Sequence, residues 1–159
     1  MAVFDASDIV EAAVRIEENG ANFYRYAVQL AAREETKTLF QMLAAQEVKH
    51  QETFAKILAG MDRNIPPEGY DGEYAAYLHG YVDNRLVFTA EAFATEMAKL
   101  RDESSALDFA IQRELDSIHY YREMRELLPA DRRDAIDRII DEEKEHFVRL
   151  SAIKKRLAC

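Results

Sequence analysis

The chain has 159 residues, 48% of them hydrophobic, which is enough for one domain with a substantial buried core. Its 21 Lys and Arg stand against 30 Asp and Glu, and this net charge of −9 disfavours binding to nucleic acid or to anionic membranes, since both rely on basic patches. The sequence contains neither a run of about 18 apolar residues nor the basic and apolar start of a signal peptide, so we expect a cytoplasmic protein that does not associate with membranes.

Four long segments have the apolar periodicity of amphipathic helices, at about residues 7–34, 36–59, 104–128 and 131–157. The first opens with "DIVE", Asp8 to Glu11, which is typical of a capping box, and Gly60 suits the end of the second. The five Gly and three Pro also favour long helices over many short strands. We predict an all-α fold in which these helices pack along their lengths as a bundle.

The second and third helices are joined by a long connection, residues 61–103. It contains a Pro-Pro pair and two Gly-Tyr steps, with short helices expected near residues 73–81 and 89–100. A connection of this length is unusual as a bare loop, but it is the right length to cross a bundle from end to end. A ferritin-like four-helix bundle requires one such crossover between helices 2 and 3, and we predict that topology.

The sequence also contains an internal repeat. Residues 13–24 align without gaps on residues 110–121, and residues 44–54 align on residues 140–150. Chance similarity between amphipathic helices is common, but it would not preferentially preserve the polar residues that interrupt the apolar rows. We therefore predict a single domain, residues 1–159, in which two duplicated helical hairpins, about 7–60 and 104–158, are joined by the crossover 61–103.

Six polar residues fall in otherwise apolar rows of the four helices: Glu17, Glu47, His50, Glu114, Glu143 and His146. In the second and fourth helices a glutamate and a histidine lie three residues apart, about 60° from each other around the helix axis. Burying such groups without partners costs several kcal/mol per ion. One Glu from each of two helices plus Glu-x-x-His from each of the other two is the ligand pattern of di-iron and di-manganese carboxylate bundles.

This pattern predicts a dinuclear metal site. A single Glu-x-x-His in a glutamate-rich helix is more simply a solvated polar face, but two repeat-related copies with matching glutamates are not. Two divalent cations would balance the charge of four carboxylates, with Glu47 and Glu143 bridging, one histidine on each metal, and Glu17 and Glu114 terminal. Oxygen-rich ligation suits iron or manganese; zinc is possible, and copper(I) is disfavoured because no thiolate ligand is present.

Other polar residues near these rows are assigned by their rotation around the helix. Tyr24 and Tyr121 follow Glu17 and Glu114 by seven residues, within about 20° of a full return, and are either hydrogen-bond donors to ligand carboxylates or ordinary core aromatics. His119 is rotated about 140° from Glu114 and is not expected to be a ligand. Three further glutamates face away from the rows and are predicted to be solvated: Glu18, Glu142 and Glu145.

With these residues identified, the chain resembles the rubrerythrin-like branch of the ferritin-like superfamily. The segments "RIEENGANFY", "QEVKHQETF", "ALDFAIQRELDSIHYY" and "DEEKEHF" look like the four metal-ligand helices of that family, in order and spacing. The resemblance implies two iron ions and a peroxidase or oxidase, active in oxidative-stress defence, with hydrogen peroxide or O2 as substrate. Iron sequestration with slow ferroxidase activity, or a structural metal site, is the alternative.

Two departures from the family pattern qualify this expectation. Rubrerythrins proper usually carry a C-terminal rubredoxin domain with paired Cys-x-x-Cys motifs, whereas Cys159 is the only cysteine here, so a separate electron-donor protein is expected. They also tend to carry an additional glutamate one turn after the ligand of the third helix, where this chain has Ser117. The serine predicts slow peroxide reduction, or oxidation of iron by O2 instead.

A homodimer is expected, partly from the resemblance and partly because the crossover is rich in aromatic residues. Their number exceeds what a solvated connection needs, although the rings could simply cover the bundle. The residues concerned are Tyr70, Tyr74, Tyr77, Tyr81 and Phe88.

Overall fold

A computed structural model describes residues 6–62, 76–78, 80–81 and 90–159. Among these residues no strand is present, which confirms the all-α prediction. None of the described helices combines the length and the apolarity needed to cross a membrane. The helices whose first and last residues are described are α1 (Ala6–Leu30), α2 (Glu34–Ala59), α3 (Ala90–Met97), α4 (Glu103–Glu126) and α5 (Ala130–Leu157).

The four long helices form two hairpins that pack on each other. Helix α1 packs mainly against α2 and helix α4 mainly against α5, while α1 also contacts α4 and α2 contacts α5. Two apolar clusters fill the interior at opposite ends of the bundle. The first cluster includes Ile16, Phe54, Ile118 and Ile140. The second cluster includes Phe23, Leu43, Leu107 and Leu150.

These clusters reveal the direction of each helix. Helices α1 and α5 run from the first cluster to the second, whereas α2 and α4 run from the second to the first. Because α2 and α4 point the same way, the chain between them has to return along the whole length of the bundle. The ferritin-like topology with one crossover is thereby confirmed.

Much of the crossover lies outside the described residues, including Tyr70, Tyr74 and Phe88. Its described parts are consistent with the sequence pattern: residues 76–78 and 80–81 are helical, and α3 covers most of the second predicted short helix. Phe93 of α3 is buried in the second apolar cluster. This part of the crossover therefore packs on the bundle.

The ends of two helices differ from the prediction. Helix α1 ends at Leu30, not near residue 34, and α2 begins at Glu34, because acidic residues are favoured in the first turn of a helix. Asp8 lies inside the first turn of α1, so the predicted capping box is not at the helix start. A true capping box starts α4, where Asp102 accepts a 2.8 Å hydrogen bond from the Ser105 backbone N–H.

The two apolar clusters leave a polar layer between them. On α1, Ile16 belongs to the first cluster and Phe23 to the second, with Glu17 between them. On each of the other long helices the predicted ligands likewise lie between residues of the two clusters. Burying each large apolar side chain contributes roughly 1.5–3 kcal/mol, so the end clusters stabilise the bundle. They also separate the polar layer from water on both sides.

Candidate metal centre

The polar layer contains all six predicted ligands, and each of them is at most 4% exposed. Their side chains form two overlapping groups, within each of which one ligand atom per residue lies within 4.8 Å of the others. Two glutamates, Glu47 and Glu143, belong to both groups. The first group adds Glu17 and His50, and the second adds Glu114 and His146.

Each histidine directs its Nδ1 toward the carboxylates. His50 Nδ1 lies 2.9 Å from Glu143 Oε1 and 3.6 Å from Glu17 Oε2. His146 Nδ1 lies 3.0 Å from Glu143 Oε2 and 3.5 Å from Glu47 Oε1. The rings stack with their centroids 5.6 Å apart. In both residues Nδ1 is therefore the nitrogen available to a cation in the layer.

The hydrogen bonds within the layer are incomplete. Four buried atoms that face the layer have no hydrogen-bond partner: Glu17 Oε2, Glu47 Oε1, His50 Nδ1 and Glu143 Oε1. The last two lie 2.9 Å apart but are not aligned as a hydrogen bond. Buried polar atoms are normally satisfied, so this concentration of unsatisfied polar atoms in one place requires an explanation. Two divalent cations would supply it, because four carboxylates and two imidazoles match their charge and preferred ligands. The residues present therefore fit a dinuclear metal group.

The close packing of carboxylates and imidazoles raises the pKa of three groups in the layer. Burial alone would lower the pKa of His50, but the adjacent carboxylates of Glu143 and Glu17 outweigh burial and raise it to about 12. The pKa of His146 is raised in the same way, against the effect of burial, by Glu114, Glu143 and Glu47. Burial, together with the charges of Glu17 and Glu143, raises the pKa of Glu47 well above its ordinary value. A cation entering the layer would therefore displace protons.

Two buried tyrosines donate hydrogen bonds to Glu17 and Glu114. The Tyr24 hydroxyl donates to Glu114 Oε1, and the Tyr121 hydroxyl donates to Glu17 Oε1. Burial and the negative charges of these glutamates raise the pKa of both tyrosines well above the ordinary value, so both stay protonated donors. Each tyrosine thus contacts the glutamate of the other helix. Seven residues separate each tyrosine by about 10 Å along the helix axis from the glutamate of its own helix. The antiparallel packing of α1 and α4 brings the glutamate of the neighbouring helix within reach instead.

Glu142 is exposed as predicted, but the sequence did not reveal its contact with His50. Its Oε2 lies 2.7 Å from His50 Nε2, the nitrogen that faces away from the carboxylates, although the side chain is half exposed. Its position immediately before Glu143 on α5 was the available signal. Glu18 and Glu145 are exposed as predicted. His119 is absent from the two ligand groups, and its Nε2 lies 3.1 Å from the Tyr77 hydroxyl.

Sequence reasoning also missed the close approach at Gly20. A Cβ atom at this position would lie 2.6 Å from Glu47 Oε2 and 3.1 Å from Arg113 Nη2. The Arg113 guanidinium in turn donates a 3.0 Å hydrogen bond to the Ile16 carbonyl oxygen. The missing side chain therefore allows the α1 backbone to contact Glu47 directly.

Comparison with known proteins identifies the family. The model of the rubrerythrin family matches residues 8–154. The chain belongs to the rubrerythrin family. A comparison with the curated proteins gave no match. Among solved structures, this rubrerythrin-family chain is similar to a candidate ferritin-like diiron-carboxylate protein from Thermotoga maritima, with 29% identity and a TM-score of 0.72 over 96% of this chain and 95% of that one.

Proposed function

We propose that this rubrerythrin-family protein is a di-iron oxidoreductase that reacts with hydrogen peroxide or O2. The observation that carries the proposal is the pair of buried ligand groups that share Glu47 and Glu143. These two carboxylates would contact both metals. Glu17 and His50 would complete the ligands of one, and Glu114 and His146 those of the other. Iron fits this donor set best, with manganese or zinc as alternatives.

The chemistry of the site requires electrons that the side chains cannot supply. Reduction of one hydrogen peroxide to two water molecules consumes two electrons and two protons. Two iron ions, when bound, can provide both electrons at once. An external reductant has to restore them after each turnover, and we propose a separate electron-donor protein for this role.

The protein residues hold and orient the ligands and keep bulk water out. Tyr24 and Tyr121 donate to the terminal carboxylates and stay neutral, so they fix those carboxylates without adding negative charge. The apolar clusters on either side of the polar layer limit access of water. Such a preorganised, enclosed donor set favours reaction with a small oxidant.

Ferroxidation, with iron as substrate, is the second candidate function. It is favoured by the residue at position 117. The family resemblance leads us to expect a carboxylate at this position in proteins that reduce peroxide rapidly. The residue is a buried serine, one turn beyond Glu114 on the same helix. A neutral hydroxyl is a poor ligand for ferric iron. On this reading O2 oxidises bound Fe(II), and peroxide reduction is slow.

The test begins with the chelator-treated protein, loaded anaerobically with Fe(II), and measures bound iron by elemental analysis. The diferrous protein is then mixed with peroxide or with O2 in a stopped-flow spectrometer. About two irons per chain and an optical change on mixing with peroxide are expected. Glu52→Ala, which removes an exposed glutamate on α2, is the matched control for Glu47→Ala.

Each other result has a distinct meaning. Failure to bind iron would overturn the proposal. A change with O2 that is faster than with peroxide would support ferroxidation, and in that case Ser117→Glu should raise the peroxide rate. Bound metal that responds to neither oxidant would indicate a structural site.

We also propose a homodimer, for which the described part of the crossover offers modest support. Tyr77 lies there with 48% of its surface exposed, more than a residue that only covers the bundle needs. Light scattering at micromolar concentration should give about twice the chain mass of 18.3 kDa. A value near the mass of one chain would contradict the proposal.

A further inference from the structure

The two histidines of the polar layer differ in what their outward nitrogen contacts. His50 Nε2 lies 2.7 Å from Glu142 Oε2, within hydrogen-bond distance of a carboxylate. His146 Nε2 is buried and has no hydrogen-bond partner. The Nδ1 atoms, by contrast, both lie close to the Glu143 carboxylate, at 2.9 Å for His50 and 3.0 Å for His146. The two histidines are therefore alike on the side that faces Glu143 and differ on the opposite side, at Nε2.

The sequence accounts for this asymmetry with a single pair of residues. Glu142 immediately precedes Glu143 on α5, and Gln46 immediately precedes Glu47 on α2. The α2 helix thus carries an amide at the position where α5 carries a carboxylate. Gln46 Oε1 is itself buried without a hydrogen-bond partner. The best partner that α2 could offer His146 from this position is a neutral amide oxygen.

A carboxylate and an amide affect a ligating histidine differently. A carboxylate that accepts the Nε2 hydrogen holds the ring in one orientation, keeps the proton on Nε2 and makes Nδ1 more basic. A neutral amide does this more weakly, because hydrogen bonds to a charged acceptor are about twice as strong. Loss of such an outer partner typically lowers metal affinity about 10- to 100-fold.

We propose that Glu142 is a positioning residue that makes the two halves of the centre unequal. The half that contains His50 and Glu17 binds its divalent cation roughly 10- to 100-fold more tightly than the half that contains His146 and Glu114. The two halves consequently fill in a fixed order, the His50 half first. This inference rests on the proposed two-cation centre and adds to it the ranking of the two positions.

The experiment titrates the chelator-treated full chain with Co(II), which binds such sites without redox change, and follows binding by calorimetry and visible absorption. The wild type should show two separated steps. Glu142→Gln should weaken the tight step about 10-fold or more and bring the steps together. Gln46→Glu should bring them together by strengthening the weak step. Glu145→Gln removes an exposed carboxylate from the same helix and should leave both steps unchanged.

The order of filling is read from the histidines themselves. In protein with 15N-labelled histidine, the first equivalent of Co(II) should shift the His50 signals before those of His146. The double variant Glu142→Gln with Gln46→Glu exchanges the two partners and should reverse this order. A merely structural role for Glu142 would change stability but would not reverse the order.

The outcomes separate this inference from the proposed function. A wild type that binds no cation would remove the dinuclear centre itself. Two cations bound in a single unresolved step, or a Glu142→Gln titration that matches Glu145→Gln, would overturn only the ranking. Circular dichroism identifies a variant that fails to fold. If Glu142→Gln fails to fold, Gln46→Glu on α2 tests the same ranking, because it should strengthen the weak step.

Discussion

The α1–α2 hairpin and the α4–α5 hairpin provide the same ligands but surround them with different neighbours. Each contributes one lone glutamate, one Glu-x-x-His pair and one tyrosine that donates across to the other hairpin. They differ one turn after the lone glutamate, where α1 has Gly20 and α4 has Ser117. They differ again just before the shared glutamates, at Gln46 and Glu142. The charge of the buried carboxylates and histidines constrains the six residues of the layer on both sides, whereas their neighbours are free to differ and can make the sides unequal.

The largest effect is expected from removing a glutamate that belongs to both ligand groups. Glu47→Ala or Glu143→Ala should lower bound metal from about two per chain to well below one, because each carboxylate belongs to both ligand groups. Glu17→Ala and Glu114→Ala, which each touch one group, should leave about one metal bound. Elemental analysis after dialysis measures this. Equal partial losses in all four variants would show that the shared glutamates do not bridge.

The histidines of both hairpins predict an unusual pH dependence for the metal-free protein. The pKa of His50 is about 12 in the folded chain, above its ordinary value of 6.5, so its contribution to stability is complete below about pH 6.5 and is lost as the pH rises toward 12. The raised pKa of Glu47 acts in the same direction. The free energy of unfolding should therefore fall from pH 7 to 9, by up to about 1.4 kcal/mol per pH unit for each extra proton held.

Urea unfolding of the metal-free protein at several pH values tests this sign. His50→Gln and His146→Gln should each reduce the slope, since each removes one group that holds a proton in the folded state. With metal bound the trend should reverse, because the ligands must lose protons to bind. A metal-free stability that rises from pH 7 to 9 would contradict the raised pKa values of His50, His146 and Glu47.

The contrast between Gly20 and Ser117 can be sharpened with alanine at each position. Gly20→Ala places a Cβ against Glu47 Oε2, so the carboxylate has to move and metal affinity should fall about tenfold. Ser117→Ala adds no atom to its site and should bind metal as the wild type does. Gly80→Ala is a further control, because its Cβ would meet nothing within 4 Å. Unchanged metal binding in Gly20→Ala would mean that Glu47 has an equally good alternative position.

The smallest effect concerns the two tyrosines. Tyr24→Phe and Tyr121→Phe should each lower the unfolding free energy by about 1 kcal/mol and weaken metal binding a few-fold, because each leaves a buried carboxylate without its donor. Tyr120→Phe removes a buried hydroxyl that donates to the Ile9 carbonyl oxygen, outside the layer. That control should lose stability without losing metal affinity. A larger effect from one tyrosine than from the other would extend the inequality of the halves to the terminal glutamates.

Helix periodicity made the six residues of the polar layer predictable, because the spacing of residues around a helix is local. Glu47 and His50 share a buried row on α2 whatever the rest of the chain does, and the same holds for Glu143 and His146 on α5. The need to neutralise four buried carboxylates then suggested two cations before any contact between helices was known. The all-α class and the single crossover followed from the same local patterns, while the origin of the hairpins by duplication stays a prediction.

Contacts between helices were decided only by the tertiary structure, since rotation around one helix does not specify the register of its neighbour. The sequence placed Tyr24 on the same face as Glu17, but the antiparallel packing of α1 and α4 puts it against Glu114. The contact between the exposed Glu142 and His50 could not be predicted for the same reason, because His50 reaches it from another helix. The sequence by itself determined which residues are buried in the polar layer, through helix geometry and charge. The fold determined which atoms meet there, because that depends on how four separate helices are aligned.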